Sequence, residues 1–362
     1  MKLGIIGLPG AGKTTIFNAL TKGDAPVGQS MSGRFDVLTA VVDVLDSRVD
    51  TLTKMFNPKK TTYARITYTD VAGLQKGAGE SGGLPSELLN HLSGLDGFVH
   101  VVRAFESDLY PHPDGRVEPT RDLEAIDTEF LLNDLGIVER RIEKLVNGLQ
   151  RGAFPNKAEA QAELRLFEQL EGTLSEERPL RTLDLTAEQH KLLRGFGLLT
   201  LKPVLIIFNI GDEQEEVNPN YDVPYTVLTN LRGKLEMELA QLSAEGDEES
   251  LEMFMEEYGV TELSLDKVIR LSYDLMGLQS FFTVGEDEVR AWTIKRGGTA
   301  VEAAATIHTD LAKGFIRAET AAYTDLVELG GLPQARSAGK LRQEGKTYIV
   351  QDGDVINIKF NI

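Results

Sequence analysis

The sequence predicts an α/β protein with a mostly parallel sheet, an inserted antiparallel helical hairpin and a C-terminal domain with a β-grasp-like pattern. Three observations lead to this fold class. Apolar runs recur without polar alternation, as in strands that are covered on both faces of a parallel sheet. A long segment then repeats apolar residues at steps of three and four, which is typical of packed helices. The last segment returns to short strands around one helix.

The strands of the parallel sheet are expected where the apolar runs lie. These runs span residues 2–6, 37–42, 64–69, 97–102 and 203–209. A glycine-rich turn follows the first run, and a helical pattern begins at Ile16. This order of strand, glycine turn and helix predicts a ligand site at the carboxyl ends of the strands.

A helical hairpin is predicted over residues 123–195, which interrupt the strand series. The apolar stripe of its first helix consists of Leu131, Leu135, Val138, Ile142, Leu145 and Leu149. Residues 151–155 contain a glycine and a proline that end this helix. A second stripe follows at Leu164, Phe167, Leu170 and Leu174. Two such helices joined by a short break are expected to lie antiparallel, with their charged residues forming a solvated face.

Strands and one helix are predicted in the C-terminal segment, residues 278–362. Residues 288–294 have the composition of a strand, and Thr299 with Glu302 three residues later predicts a capped helix over 299–311. Residues 347–360 indicate two strands around the Asp352-Gly353 turn. The predicted domains are therefore a nucleotide-binding domain at 1–122 and 196–277, the helical insertion at 123–195, and the C-terminal domain at 278–362.

The composition excludes several classes of function. The 362 residues include no cysteine and five histidines, so disulfides, thiolate metal sites and a cysteine nucleophile are excluded. No apolar run has the length of a membrane-spanning helix, and the N-terminus does not match a signal peptide. We therefore expect a soluble, cytoplasmic protein that has no membrane partner.

The net charge of −18 is unevenly distributed along the chain. Residues 209–262 contain two basic and 15 acidic side chains, whereas residues 278–362 contain 10 basic and 11 acidic ones. The nearly balanced C-terminal segment offers a candidate basic face made of Lys295, Arg296, Lys313, Arg317, Arg336, Lys340 and Arg342. The charge therefore argues against a uniformly basic nucleic-acid binder, and we expect no sequence-specific binding to DNA, but a ribosomal partner stays possible.

The glycine-rich turn predicts a phosphate-binding loop. The sequence Gly7-Leu8-Pro9-Gly10-Ala11-Gly12-Lys13-Thr14 matches G-x-x-x-x-G-K-[ST] at every fixed position, between a strand and a helix. Its backbone N–H groups are expected to surround phosphates, Lys13 to reach the β- and γ-phosphates, and Thr14 to ligate Mg²⁺. The predicted nucleotide-binding residues of this loop are Gly10, Ala11, Gly12, Lys13, Thr14 and Thr15.

A second motif, Asp70-Val71-Ala72-Gly73, follows the strand at 64–69. Asp70 is expected to support Mg²⁺ together with Thr14, and the Gly73 N–H to meet the γ-phosphate, so that Lys13, Asp70 and Gly73 are candidate catalytic residues. The alternative for Asp70 is a cap at the end of the strand.

The strongest strand ends in Asn209-Ile210-Gly211-Asp212. In regulatory GTPases an N-K-x-D motif at this place reads guanine, but isoleucine replaces the lysine here. Asn209, Ile210, Asp212 and, at the next strand end, Thr229 are the candidate residues for base binding; a strand-end turn is the alternative. The choice between ATP and GTP stays open.

Two residues bear on hydrolysis. Leu74 occupies the position where many GTPases have a glutamine that orients water, so hydrolysis needs another group, a bound potassium-type cation or a partner. His112, in a loop rich in proline and glycine, is a candidate for holding the water, although an isolated loop histidine is more often simply exposed.

The chain resembles the YchF / Obg-like ATPase family along essentially its whole length. The segments that carry the resemblance are 4–13, 70–77, 101–106, 199–203, 288–294, 307–310, 313–319 and 352–355. The resemblance implies an Obg-type G-domain, a coiled-coil insertion, a C-terminal TGS-type domain, hydrolysis of ATP in preference to GTP, and association with ribosomes or ribosomal RNA. It also implies that Leu74 replaces the catalytic glutamine and that His112 takes part in hydrolysis.

The chain departs from the family pattern at several positions. Gly10-Ala11 replaces Asn-Val in the phosphate loop, Asp212 replaces a glutamate, and Thr229-Asn230 replaces Ser/Cys-Ala. Arg34 aligns with the Mg²⁺-binding threonine of the first switch, for which Ser30, Ser32 or Thr39 are substitutes. The sequence therefore predicts a P-loop NTPase that slowly hydrolyses ATP or GTP with Mg²⁺ as a translation-associated switch; the alternative is a nucleotide-binding scaffold with little hydrolysis.

Overall fold

The structure is a computed structural model that describes residues 1–23, 25, 37–71, 74, 84–258 and 264–361. Its strands are β1 (Lys2–Ile6), β2 (Val37–Val44), β3 (Lys60–Thr62), β4 (Ala64–Val71), β5 (Gly97–Arg103), β6 (Val204–Asn209), β7 (Thr226–Leu231), β8 (Leu278–Thr283), β9 (Glu288–Lys295), β10 (Phe315–Ala322), β11 (Arg342–Glu344) and β12 (Asp354–Phe360). Its α-helices are α1 (Lys13–Thr21), α2 (Ser47–Phe56), α3 (Ser86–Ser93), α4 (Pro119–Gln150), α5 (Lys157–Ser175), α6 (Ala187–Leu193), α7 (Gly233–Glu245), α8 (Glu248–Glu257), α9 (Ser264–Leu275), α10 (Ala300–Ile307), α11 (Thr309–Lys313), α12 (Tyr323–Leu329) and α13 (Leu332–Ser337).

The chain forms two compact units. The first contains residues Met1–Ala40 and Thr67–Leu265, and the second contains Val41–Ile66 and Asp266–Ile362. This division differs from the predicted domains because residues 41–66 and 266–277, expected in the nucleotide-binding domain, fall in the second unit. The predicted boundaries of the helical insertion stay a prediction.

A six-stranded sheet with the order β2-β4-β1-β5-β6-β7 forms the centre of the first unit. The four pairings from β4 to β7 are parallel, so the carboxyl ends of these five strands lie at one edge. All the residues of β5 and β6 are buried, as their continuous apolar sequences predict for strands covered on both faces. The mostly parallel α/β class is therefore confirmed, and its ligand edge is the one that follows these strand ends.

The predicted helical hairpin corresponds to α4 and α5, which pack on each other. Val138 and Leu145 from the first stripe and Phe167, Leu170 and Leu174 from the second are buried in one apolar core. Leu131, Leu135, Ile142 and Leu164 pack against it while partly buried. The spacing of three and four therefore identified the contact faces of both helices, except that Leu149 is not part of this core.

The second unit contains a mixed sheet with the order β11-β10-β12-β8-β9-β3. Strand β12 is antiparallel to β10 and parallel to β8, and α10 contributes three buried alanines to the core beside this sheet. The capping box predicted at Thr299 is present, with the Thr299 hydroxyl accepting from the Glu302 N–H.

Three local predictions in the second unit were wrong or incomplete. Residues 347–350 do not form a strand, since only an isolated bridge joins Ile349 to Thr299. The helix predicted to reach residue 311 ends at Ile307, because His308 has an extended backbone, and α11 begins afresh at Thr309. Strand β3 was not predicted; it extends the sheet by pairing in parallel with β9.

Candidate nucleotide-binding site

The phosphate loop connects β1 to α1 and takes its shape from its glycines. Gly12 is the residue before α1 and has φ 91°, in the left-handed region that favours glycine. A Cβ atom at Gly12 would come within 2.2 Å of the Asn209 side chain, so no other residue fits. Because Gly12 has no capping side chain, the first N–H groups of α1 are left for a ligand such as phosphate.

Lys13, Thr14 and Asp70 meet at this loop, as predicted. The Thr14 hydroxyl, at the start of α1, donates to Asp70 Oδ2 near the end of β4 at 2.8 Å. The Lys13 Nζ donates to the carbonyls of Gly7 and Leu8, both at 3.0 Å. Burial lowers the pKa of Lys13, partly offset by the charge of Asp70. Burial likewise raises the pKa of Asp70, against the effects of Thr14 and Lys13.

Asp70 has one carboxylate oxygen that is not used. Its side chain is 7% exposed, and Oδ1 is buried without a hydrogen-bond partner among the residues that the structure describes. A buried acceptor without a partner costs free energy, which a bound cation would recover. The group therefore fits Mg²⁺, a hard ion that prefers oxygen ligands, with Thr14 and Asp70 as the residues that would hold it. In the same described part of the chain, no group of three or more His, Asp or Glu side chains forms another metal site.

Asn209 supports the phosphate loop rather than facing a base. Its amide nitrogen donates to the Ala11 carbonyl at 3.0 Å, and its amide oxygen accepts from the Gly233 N–H at 3.0 Å. Both ends of the side chain are thus used to join the loop to the start of α7. The prediction that Asn209 belongs to the site is supported by this position, but its role here is to hold the loop in place.

The other candidates for base binding differ in their accessibility. Ile210 is 6% exposed, and its side chain packs in the apolar core with Phe208. Thr229 is buried within β7. Asp212 lies in the loop after β6 and is half-buried, so it is more accessible than Ile210 and Thr229. The Ile210 side chain is therefore excluded as a contact to the base, because it packs in the apolar core beneath β6.

Phe105 was not among the predicted site residues. A Cβ atom on Gly12 would lie 3.9 Å from the ring, and one on Gly211 would lie 4.0 Å from the Cβ of Phe105. This half-buried ring therefore lies between the phosphate loop and the segment that contains Asp212. Its position two residues after the end of β5 was the available signal, since ligands bind beyond the carboxyl ends of such strands.

His112 is buried, in contrast to the exposed loop histidine that was the alternative. Its Nδ1 accepts from the Asp114 N–H at 3.1 Å, and its Nε2 lies 2.8 Å from Asp122 Oδ2. Asp122 is held in turn by Arg121, which donates to Oδ1 at 2.9 and 3.0 Å. Both ring nitrogens are engaged, so His112 holds no water in this arrangement. It nevertheless lines one narrow crevice with Leu8 and Ala11 of the phosphate loop.

A second histidine beside the loop was missed. His100 on β5 lines the same crevice, and burial together with the charges of Lys13 and Arg181 lowers its pKa to about 3. It is therefore neutral at ordinary pH.

Of the remaining predicted positions, Gly73, Ser30, Ser32 and Arg34 lie outside the described residues. Of the three substitutes named for the first switch, Thr39 is the one that the structure describes. Its hydroxyl shares a hydrogen bond of 3.3 Å with the Thr69 hydroxyl and not with Asp70. Leu74 is buried in the apolar core. Its side chain cannot orient water, as its residue type predicted.

Comparisons with known proteins agree with this geometry. A family model described as 50S ribosome-binding GTPase matches residues 2–135, and the model of the YchF GTPase C-terminal domain, described as a protein of unknown function, matches residues 278–361. The chain is 42% identical to the ribosome-binding ATPase YchF of Bacillus subtilis, over 99% of both chains. It is 40% identical to that of Escherichia coli O157:H7, over 100% of this chain and 99% of the relative.

Similarity extends to eukaryotic proteins and to a solved structure. Obg-like ATPase 1 of Caenorhabditis elegans is 37% identical, over 100% of this chain and 92% of the relative. The structure of the Schizosaccharomyces pombe YchF GTPase superimposes with a TM-score of 0.83 and 33% identity, covering 99% of this chain and 97% of the other. The chain therefore belongs to the YchF / Obg-like ATPase family, as the sequence predicted.

Proposed function

We propose that this member of the YchF / Obg-like ATPase family binds a nucleoside triphosphate with Mg²⁺ at the phosphate loop and hydrolyses it slowly, as a switch that associates with the ribosome. The observation that carries the proposal is the cluster of Lys13, Thr14 and Asp70. It provides a half-buried cation, a hydroxyl and a carboxylate with a free acceptor, all beside the N-terminus of α1. These are the groups that phosphoryl transfer requires.

Each residue of the cluster has a separate task. Lys13 donates to the β- and γ-phosphates in place of its present carbonyl partners, and the backbone N–H groups of residues 10–15 surround the phosphates. Thr14 and Asp70 hold Mg²⁺, which supplies charge neutralisation on the phosphate oxygens. Gly73 lies outside the described residues, and we expect its N–H to meet the γ-phosphate. The proposed catalytic residues are therefore Lys13, Asp70 and Gly73. His112 is the fourth, on the condition given below that it leaves Asp122.

Hydrolysis is slow because no water-orienting group stands ready in the described part of the chain. Leu74 is apolar and buried, and His112 is bonded to Asp122 and Asp114. His112 takes part in hydrolysis only after it leaves Asp122. If His112 does not leave Asp122, the alternative function is favoured, which is a nucleotide-binding scaffold without appreciable hydrolysis. Single-turnover hydrolysis of bound ATP separates the two functions.

ATP is the proposed nucleotide, and GTP is the competitor. The lysine that packs on guanine in regulatory GTPases is absent, and the Ile210 side chain that replaces it is in the core. Asp212 and the ring of Phe105 are the groups that stay available to a base. The curated relatives from B. subtilis and E. coli are named ATPases.

Ribosome binding is supported by the names of the relatives more than by charge. In the C-terminal unit, five residues of the candidate basic face form ion pairs: Arg296 with Asp274, Lys313 with Asp310, Arg336 with Glu319, Lys340 with Asp325, and Arg342 with Glu344. These pairs offset much of the positive charge of the candidate basic face in the C-terminal unit, which we propose is of the TGS type. None of the described helices combines the length and apolar character needed to cross a bilayer, and we propose a cytoplasmic location.

Release of inorganic phosphate from ATP and from GTP tests the proposal. Lys13→Ala removes the cation of the phosphate loop and is expected to reduce turnover to background. Lys22→Ala is the matched control, since Lys22 is an exposed lysine just after α1 that bonds to Ser243. It is expected to keep the wild-type rate. Equal, background-level release by the wild type and Lys13→Ala would contradict the enzymatic function.

A further inference from the structure

Arg103 is the last residue of β5 and is almost completely buried, with 2% of its surface exposed. Its Nε donates to the Phe105 carbonyl at 3.1 Å, and its Nη2 donates to the Tyr110 carbonyl at 2.7 Å. The guanidinium carbon lies 4.6 Å from the centre of the Phe105 ring. One side chain therefore fixes two points of the loop that follows β5, together with one face of its aromatic ring.

The third nitrogen of the guanidinium group points to the phosphate loop. Nη1 would lie 3.3 Å from a Cβ atom on Gly10, so the missing side chain at Gly10 makes room for Arg103. Nη1 is buried and has no hydrogen-bond partner among the described residues. Arg103 thus extends from the outer side of the phosphate loop to the loop that contains Phe105 and Tyr110.

Stability alone does not explain this arrangement. Burial lowers the pKa of Arg103, and its two hydrogen bonds within the described part of the chain reach neutral carbonyls, while Glu106 and Asp122 act only through their charge. A buried cation with an unused N–H costs free energy of folding. Local features that cost stability occur mainly at functional sites, where the geometry they impose is needed.

We propose that Arg103 is a positioning residue for the nucleoside half of the site: it holds the loop after β5 against the phosphate loop, so that the free face of Phe105 meets the base. The inference rests on the proposed function, because it presupposes a bound nucleotide. Arg103 itself does not touch the phosphates, since Nη1 is buried behind Gly10. Its removal therefore weakens contacts to the base and leaves contacts to a bare polyphosphate unchanged.

The test compares the Kd values of ATP and of inorganic tripolyphosphate, both with Mg²⁺, for the full-length protein and its variants. Arg103→Met keeps the apolar stem and removes the donors, and we expect the Kd of ATP to rise about tenfold, a loss comparable to that of one base–aromatic contact. The Kd of tripolyphosphate is expected to change less than about twofold on the same reasoning. Arg103→Lys retains the charge but has a single donor atom in place of the separate Nε and Nη2 that reach the Phe105 and Tyr110 carbonyls, and it should shift the ratio in the same direction.

Arg181→Met is the matched control. Arg181 is also buried, but it bonds to Thr226, the first residue of β7, at the opposite ends of the strands from the site. This variant should leave the ratio of the two Kd values unchanged. If Arg103→Met does not fold, as judged by circular dichroism, Arg103→Lys gives the same comparison.

Two results would overturn the role of Arg103. An equal loss of ATP binding and tripolyphosphate binding would show that Arg103 acts on the phosphates. If the ratio of the two Kd values in Arg103→Met equals that in Arg181→Met, the role of Arg103 is purely structural. Failure of the wild-type protein to bind ATP at all would instead contradict the proposed function, so the two failures are distinguishable.

Discussion

Two polar clusters beside the phosphate loop differ in how fully they use their hydrogen-bonding groups. In the first, the loop cluster of Lys13, Thr14 and Asp70, one oxygen of Asp70 is buried without a partner in the described part of the chain. In the second, the histidine cluster of His112, Asp122 and Arg121, both ring nitrogens and both carboxylate oxygens are bonded. A group with spare capacity is ready for a ligand, whereas a saturated group must first break a contact. The loop cluster can therefore bind a ligand without losing a hydrogen bond, whereas the histidine cluster must first break one.

The largest expected effect concerns Asp70. Asp70→Asn keeps the hydrogen bond from Thr14 but removes the charge that would support Mg²⁺. We expect the affinity for Mg²⁺ in the presence of ATP to fall by on the order of 100-fold, the upper range for residues that support a metal. Titration of Mg²⁺ by calorimetry measures this loss. An unchanged Mg²⁺ affinity would mean that the spare oxygen of Asp70 is not part of the ion site.

The second effect concerns the histidine cluster and is one of stability. Asp122→Asn removes the charge that holds His112 and Arg121, and we expect the free energy of unfolding to fall by about 2 kcal/mol, as for other buried polar groups that lose a charged partner. Glu118→Gln is the control, since Glu118 bonds to the same arginine but is more exposed. Denaturant unfolding of both variants distinguishes them, and equal losses would show that the cluster is not specially stabilising.

Turnover by the same variant sharpens the comparison. If His112 takes part in hydrolysis once it is free, Asp122→Asn should hydrolyse ATP faster than the wild type, and His112→Ala in the Asp122→Asn background should abolish the gain. A gain that survives in the double variant would exclude His112 from the reaction.

The smallest effect is a pH dependence of stability. Burial raises the pKa of Asp70 in the folded protein, so the folded state binds this proton more readily than the unfolded one. The free energy of unfolding of the nucleotide-free protein should therefore rise as the pH falls through the raised pKa towards the ordinary value of about 3.9. Asp70→Asn should lack this contribution. Unfolding curves of both proteins across this pH range measure the difference, and parallel curves would contradict it.

The features that the sequence predicted well are those determined by neighbouring residues. The phosphate loop depends on Gly12, Lys13 and Thr14 between a strand and a helix, and the hairpin core follows from apolar spacing. The position of Asp70 follows from parallel strands that share an edge. In each case local geometry leaves few other arrangements.

The features that were missed depend on contacts between distant residues. Strand β3 has three residues and no periodicity, and it forms because β9, more than 200 residues later, offers an open edge. The burial of His112 depends on Asp122, on the first turn of α4, and the place of Ile210 depends on the core below β6. No pattern in the sequence identifies such pairs, because the partner of each residue lies outside the local pattern to which that residue belongs.

Calorimetric titration of ATP in the presence and absence of Mg²⁺, on the wild type and on Lys13→Ala, tests the central claim most directly. The loop cluster predicts that the wild type binds ATP, that Mg²⁺ strengthens this binding, and that Lys13→Ala loses both the binding and its Mg²⁺ dependence. Binding of ATP that is equally tight in Lys13→Ala, or that does not respond to Mg²⁺, would contradict a nucleotide site built on Lys13, Thr14 and Asp70.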